Sequence, residues 1–265
     1  MVYFLNTELA SAAIVIEKAV AEGRSMALLL EGVPGSGKTA FAKYLSHHYG
    51  WPLFRYDCNA ESNSGLVYAY DVEGIIQQKS AFLKGPLWNC FESEGPAVML
   101  IDEVDKSPRD FEAWLLRTVD EQTFRSPNND EIAAKAPVVF ILSSNARRKL
   151  SPEMERRCFR FTIPYPSKEL LPQIVKAELP WGEPNHALIG LLCRIALKMQ
   201  PKVEPDQMPS PKEIAYAAAS FPLLKSHKQI QAIFVAQMLK GMTMQDCHQI
   251  IRMSAVKAIA KEAWK

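Results

Sequence analysis

Long apolar runs are missing from this chain: no stretch approaches the roughly 18 residues that a membrane span needs. Paired cysteines are missing too. Five are scattered at Cys58, Cys90, Cys158, Cys193 and Cys247, and no two stand in Cys-x-x-Cys spacing. That pattern argues against a disulfide framework and a structural zinc site and suits a reducing compartment. The opening residues Met1-Val2-Tyr3-Phe4-Leu5-Asn6 carry no basic segment and no cleavage site, so the chain is expected in the cytoplasm. An excess of one charge is also lacking. The 31 Lys and Arg against 29 Asp and Glu leave a formal charge of +2, which gives no general pull toward nucleic acid or an anionic membrane. No internal repeat or low-complexity stretch occurs. What is present is an ordinary globular composition, 48% hydrophobic over 265 residues, enough for a real core and two domains.

The first two-thirds of the sequence alternates helical and strand patterns. Residues 7–22 have helical periodicity after a capping Asn6 or Thr7. Strands are expected at 26–30, 53–56, 97–101, 138–142 and 159–163, with helices at 38–49 and 110–119. Such alternation predicts an α/β fold: a parallel sheet with helices on both faces. Pro164-Tyr165-Pro166-Ser167 breaks the pattern. Beyond it only helices are expected, at 168–178, 185–200, 210–220, 227–240 and 243–264. The expected domains are therefore an α/β core over 1–165 and a small all-helical lid over 166–265.

Between the first strand and the second helix stands Gly32-Val33-Pro34-Gly35-Ser36-Gly37-Lys38-Thr39, followed by Ala40. It fits the G-x-x-x-x-G-K-[ST] phosphate loop. The glycines let backbone N–H groups turn inward onto phosphate oxygens, and the free amides of the following helix favour the same negative charge. Lys38 is expected to reach the β- and γ-phosphates of ATP, and Thr39 to ligate Mg²⁺. The plain alternative, a glycine-rich turn that binds nothing, does not account for its place between strand and helix. The apolar run Val98-Met99-Leu100-Ile101 ends in Asp102-Glu103. Ligands of open α/β sheets bind at that strand edge. Asp102 is thus expected to hold Mg²⁺ through its water shell, and Glu103 to orient and polarise the attacking water.

Taken together, these segments resemble the AAA+ ATPases, and within them the MoxR branch. The phosphate loop and Leu100-Ile101-Asp102-Glu103-Val104-Asp105-Lys106 are similar to the family's two nucleotide motifs. Ile141-Leu142-Ser143-Ser144-Asn145 resembles its sensor-1 strand, which implies that Asn145 touches the γ-phosphate or the water. Leu150 to Phe159 resembles its arginine-finger region, with Arg157 favoured over Arg156 as the arginine supplied in trans. Residues 65–71 and 85–88 fall where MoxR members insert a hairpin. That version looks closest to the subgroup encoded beside carbon monoxide dehydrogenase maturation proteins. The resemblance places sensor 2 at Lys212, in Pro209-Ser210-Pro211-Lys212-Glu213, where the family usually has arginine. It implies a homo-oligomer, a hexameric ring, that hydrolyses ATP to remodel a protein partner in trans, with a von Willebrand A domain protein as the expected partner.

Softer signals have plainer readings beside them. Arg147, Arg148, Lys149, Arg156, Arg157 and Arg160 form a basic cluster, read as a phosphate-facing subunit interface ahead of a nucleic-acid surface. A nucleic-acid motor or loader is accordingly the alternative function. A small-molecule kinase fits less well, because kinases lack the sensor Asn, the trans arginines and the helical lid. No Asn-Lys-x-Asp signature points to guanine. His47-His48 is expected to close a helix rather than bind metal. Residues 121–137 are read as a turn or hairpin, and the stripe Ile230, Ile233, Phe234 and Met238 as core.

Overall fold

The computed structural model describes residues 7–61, 63–77, 81–200, 207–239 and 253–264. They group into two compact units. Of the described residues, one comprises Thr7–Gly32 together with Gly37–Ile163, and the other comprises Val33–Ser36 with those from Pro164 onward.

In the first unit, helix α1 (Thr7–Ala21) leads into strand β1 (Met26–Glu31), helix α2 (Lys38–Tyr49) and strand β2 (Leu53–Asp57). An insertion follows: β3 (Tyr68–Tyr70), a short helix α3 (Val72–Ile76) and β4 (Phe82–Lys84), with β3 and β4 antiparallel. Then come α4 (Pro86–Phe91), β5 (Ala97–Asp102), α5 (Arg109–Glu121), the β6–β7 hairpin (Thr123–Arg125, Glu131–Ala133), β8 (Val138–Ser144), α6 (Pro152–Arg157) and β9 (Phe159–Thr162). The main sheet runs β2-β5-β8-β1-β9 and every pairing in it is parallel.

The apolar composition of β5 and β8 dictates their central place. Every residue of both strands is buried, as strands covered on both faces require. Met99, Leu100, Ile101, Phe140, Ile141 and Leu142 are fully inaccessible, each worth about 2 kcal/mol of burial. Both strands turn polar only at their C-terminal ends, with Asp102 on one and Ser143-Ser144 on the other. The register sets Ile101 opposite Leu142, and Leu30 and Glu31 of β1 opposite Ser143 and Ser144. The polar residues therefore gather at one edge, where the Gly32 N–H continues the ladder by donating to the Ser144 carbonyl at 3.2 Å. His47 and His48 lie in the last turn of α2, which Gly50 closes in a left-handed conformation.

The second unit is helical: α7 (Leu171–Ala177), α8 (His186–Met199), α9 (Pro211–Ser220), α10 (His227–Met238) and α11 (Met253–Ala263). Polar side chains fix where three of them start. Asn185 accepts from Ala187 N–H at 2.8 Å, Ser226 from Gln229 N–H at 3.3 Å, and Ser210 and Glu213 form a reciprocal capping box. Leu192, Ala196, Ile214, Phe221, Ile230, Phe234, Met238 and Ile259 build the core, with Ile233 packed against it. The stripe on α10 is thus largely interior. The expected Asn6 cap and much of the expected 243–264 helix lie outside the described residues. Val33 also packs against this core. A Cβ on Gly35 would stand 2.5 Å from Ser210 Cβ and 2.9 Å from Pro211 Cδ, and Gly35 has φ +76°, so position 35 admits only glycine.

Candidate functional site

Helix α2 starts abruptly. Gly37, at φ 104°, turns the chain into it without a side-chain cap, and its first turn contains no acid. Its positive end thus faces no acidic side chain of its own first turn, which suits an anion. Lys38, the first helical residue, is buried, and its Nζ donates to the Gly32 carbonyl at 2.7 Å. Burial lowers the Lys38 ammonium from 10.5 to about 8, against the opposing pull of Asp102, Asp105 and Glu103. Ser36 Oγ is buried with no hydrogen-bond partner. Such an orphaned hydroxyl in a phosphate-loop sequence fits a ligand that brings acceptor oxygens.

Asp102 is held on both oxygens. Oδ1 accepts the Ser143 hydroxyl, and Oδ2 accepts the Thr39 hydroxyl at 3.0 Å. The donor set of one carboxylate and one hydroxyl is hard oxygen only. It suits Mg²⁺, which takes one or two protein oxygens and fills its shell with water and phosphate. Ser143 also accepts the Glu103 N–H at 3.0 Å, so one buried hydroxyl ties both acids to the tip of β8.

Glu103 adopts a left-handed conformation, φ 56° and ψ 45°, which costs a non-glycine residue about 1 kcal/mol or more. The turn points its carboxylate back to the strand edge. Oε1 accepts from Asn145 Nδ2 at 3.0 Å, and Oε2 pairs with Lys106 Nζ. Asn145 is fixed in turn, since its N–H and that of Arg147 donate to the two oxygens of buried Asp105 at 3.3 and 3.0 Å. The loop from Asn145 to α6 is anchored further by Arg148. That guanidinium pairs with Glu112, which is 1% exposed, and donates to the carbonyls of Asp105 and Ser107 at 3.2 and 2.7 Å. Glu112 Oε2 accepts the Ser151 N–H at 2.9 Å, and Ser151 caps α6.

The structure thus gathers Lys38, Thr39, Asp102, Glu103 and Asn145 at the sheet edge. Arg156 and Arg157 stand apart on α6, both exposed, and Arg157 pairs with Asp120 of α5. Arg157 lines a different region. A groove of about 760 Å³ between α5 and α6 has Ala113, Leu116, Leu150 and Pro152 on its walls and Arg157 at its rim. Lys212 is exposed in the first turn of α9. Half of the basic cluster is paired: Arg148, Arg157 and Arg160 meet Glu112, Asp120 and the Glu31–Glu155 pair. Sequence reasoning missed the parts played by Ser143, Lys106, Asp105 and the Glu112–Arg148 pair. For Ser143 the signal was a polar residue ending an otherwise apolar strand.

A phosphate loop, an acidic strand end and a polar strand tip on a five-stranded parallel sheet are the marks of the P-loop nucleotide-binding fold. Comparison with known proteins narrows the class. Residues 27–158 match the AAA domain family (dynein-related subfamily). The chain is 32% identical over 133 residues to a Nif-specific regulatory protein of Rhizobium meliloti, covering 48% of this chain and 24% of that protein. It is 30% identical over 132 residues to a mitochondrial Lon protease homolog of Phaeodactylum tricornutum, covering 46% and 14%. Protein NorQ of Paracoccus denitrificans is 27% identical over 191 residues, 68% of this chain and 67% of that protein. The chain therefore spans well under half the length of the first two relatives. A mutant RuvB from Thermotoga maritima shares the fold, with a TM-score of 0.55 at 14% identity over 97% of this chain and 73% of that one. Residues 27–158 are thus an AAA+ ATPase domain, and the similarity to NorQ is consistent with a MoxR-like form. No helix among the described residues is long and apolar enough to cross a membrane.

Proposed function

We propose that this chain hydrolyses ATP within a homo-oligomeric, hexameric ring and uses the cycle to remodel or assemble a partner protein in trans. The observation that carries the hydrolytic reading is the Glu103 carboxylate, held by Asn145 beside the Asp102–Thr39 pair. In this reading Gly32 to Ala40 cradle the phosphates, and Lys38 contacts their terminal oxygens. Thr39 and Asp102 would hold a divalent ion, which would supply charge neutralisation to the phosphates. Glu103 orients the attacking water and accepts its proton. Asn145 donates an amide hydrogen to Glu103, so it fixes the acid without competing for that proton. Lys212 is the sensor-2 candidate.

Arg157 is proposed as the trans arginine, with Arg156 as the runner-up. Both lie on a helix whose position the Glu112–Arg148 clamp sets relative to Glu103, which supports a link between a subunit's own acid and the arginines it offers its neighbour. The partner proposal, a von Willebrand A domain protein, rests on the MoxR-like sequence alone, as does the placement in the carbon monoxide dehydrogenase maturation subgroup. The near-neutral charge of +2 and the pairing of Arg148, Arg157 and Arg160 favour the protein-remodelling reading over a nucleic-acid motor.

Glu103→Gln tests the hydrolytic reading. The amide is nearly isosteric and cannot accept the proton, so turnover should fall roughly 100-fold or more while ATP binding survives. Turnover near that of the unsubstituted chain, measured as phosphate release at saturating ATP, would remove Glu103 from the mechanism.

A further inference from the structure

Strand β2 carries a cation that the roles above leave unused. It is an edge strand, and its register sets Arg55 opposite Leu100 and Asp57 opposite Asp102. By the two-residue alternation of a strand, Arg55, Asp57 and Asp102 share one face of the sheet. Arg55 Nη2 lies 2.7 Å from Asp57 Oδ1 and 3.0 Å from Asp102 Oδ2, and Arg55 Nε donates to Asp57 Oδ1 at 3.0 Å. Asp102 Oδ2 is the oxygen that also accepts the Thr39 hydroxyl. Oδ1 is engaged by Ser143, so Oδ2 is the oxygen on which Thr39 and Arg55 converge. The side chain of Asp102 is 9% exposed and that of Arg55 45%. Between the two, the arginine has room to move.

A divalent ion seated between Thr39 and Asp102 would share Oδ2 with a permanent positive charge, and like charges at one oxygen repel. Asp57 Oδ1 already engages two nitrogens of the same guanidinium and provides a second place for it. We propose that Arg55 is a positioning residue that competes with the divalent cation for Asp102 Oδ2 and withdraws to Asp57 when the ion binds. The Arg55–Asp57 pair then sets the metal concentration at which the nucleotide site fills. This inference rests on the reading of Thr39 and Asp102 as metal-holding residues.

The test is a Mn²⁺ titration of the full chain in the presence of ADP. Free Mn²⁺ is followed by electron paramagnetic resonance, without reference to turnover. Arg55→Met removes the charge and keeps an apolar stem. It should lower the half-saturating Mn²⁺ concentration by about fivefold or more. Asp57→Asn weakens the second acceptor and should raise that concentration. An Arg55→Met titration that is unchanged, or displaced upward, overturns the proposal. So does an Asp57→Asn titration that does not move upward, which keeps the test open if Arg55→Met fails to fold by circular dichroism. Absence of ADP-dependent Mn²⁺ binding in the unsubstituted chain would overturn the metal reading and this inference with it. Normal binding there, with unresponsive variants, would overturn the inference alone.

Discussion

Lys38 shows what burial does to a single functional residue. The proposed phosphate site needs its positive charge, and burial makes that charge costly, lowering the ammonium from 10.5 to about 8. Phosphate binding requires the protonated form and should therefore weaken as pH rises through that value. ATP should bind about tenfold more weakly at pH 9 than at pH 7, because one proton must then be taken up on binding. Stability runs the other way. Between about 8 and 10.5 the unfolded chain holds the proton that the folded chain has lost, so this group makes stability rise with pH there. Weaker binding at pH 9 therefore does not come from unfolding through Lys38 itself. Isothermal titration at the two pH values checks the prediction, and an affinity independent of pH would contradict the burial of Lys38. Arg55 shows the opposite balance: burial alone would lower its guanidinium, but the bond to Asp57 and the charges of Asp102 and Asp57 raise it above the ordinary value. The thiols of Cys58, Cys90, Cys158 and Cys193 are buried and pushed up to about 12, which removes them as nucleophiles at neutral pH.

At the scale of elements, the loop between β8 and α6 is anchored in part by an ion pair whose carboxylate is buried. Arg148→Met would strand the Glu112 carboxylate, which is 1% exposed. Breaking a buried pair from one side costs about 3 kcal/mol or more. Replacing both partners, as Arg148→Met with Glu112→Gln, removes the stranded charge and should recover part of that loss. Urea unfolding of the two variants measures the difference, and equal stability of the single and double variants would show that the pair is not buried in solution. The same elements show what sequence makes legible. Strands β5 and β8 announce themselves as continuous apolar runs, and the phosphate loop as a contiguous motif, so their places and the edge where Asp102 and Glu103 emerge can be read directly. The residues that fix those acids cannot. Arg148 meets Glu112 across 36 residues and Arg55 meets Asp102 across 47, and no local periodicity records such meetings. Arg147 to Arg160 therefore reads as an open basic cluster in sequence, while in the fold Arg148, Arg157 and Arg160 each have a carboxylate partner.

At the scale of the whole molecule, the proposed activity belongs to an assembly. Lys38, Thr39, Asp102, Glu103 and Asn145 meet within one chain, whereas Arg156 and Arg157 stand apart on α6. A ring that supplies Arg157 to the neighbouring site accounts for that separation. Two inactive variants have opposite defects. Glu103→Gln subunits lack their own acid and offer an intact arginine, while Arg157→Ala subunits keep the acid and offer none. The decisive measurement is ATP turnover of a mixture of the two, under conditions where labelled subunits demonstrably exchange. A trans arginine is worth about 10³-fold in turnover, so the account predicts activity well above the sum of the separate variants, from interfaces that pair an intact Glu103 with an intact Arg157. Activity equal to that sum would contradict it.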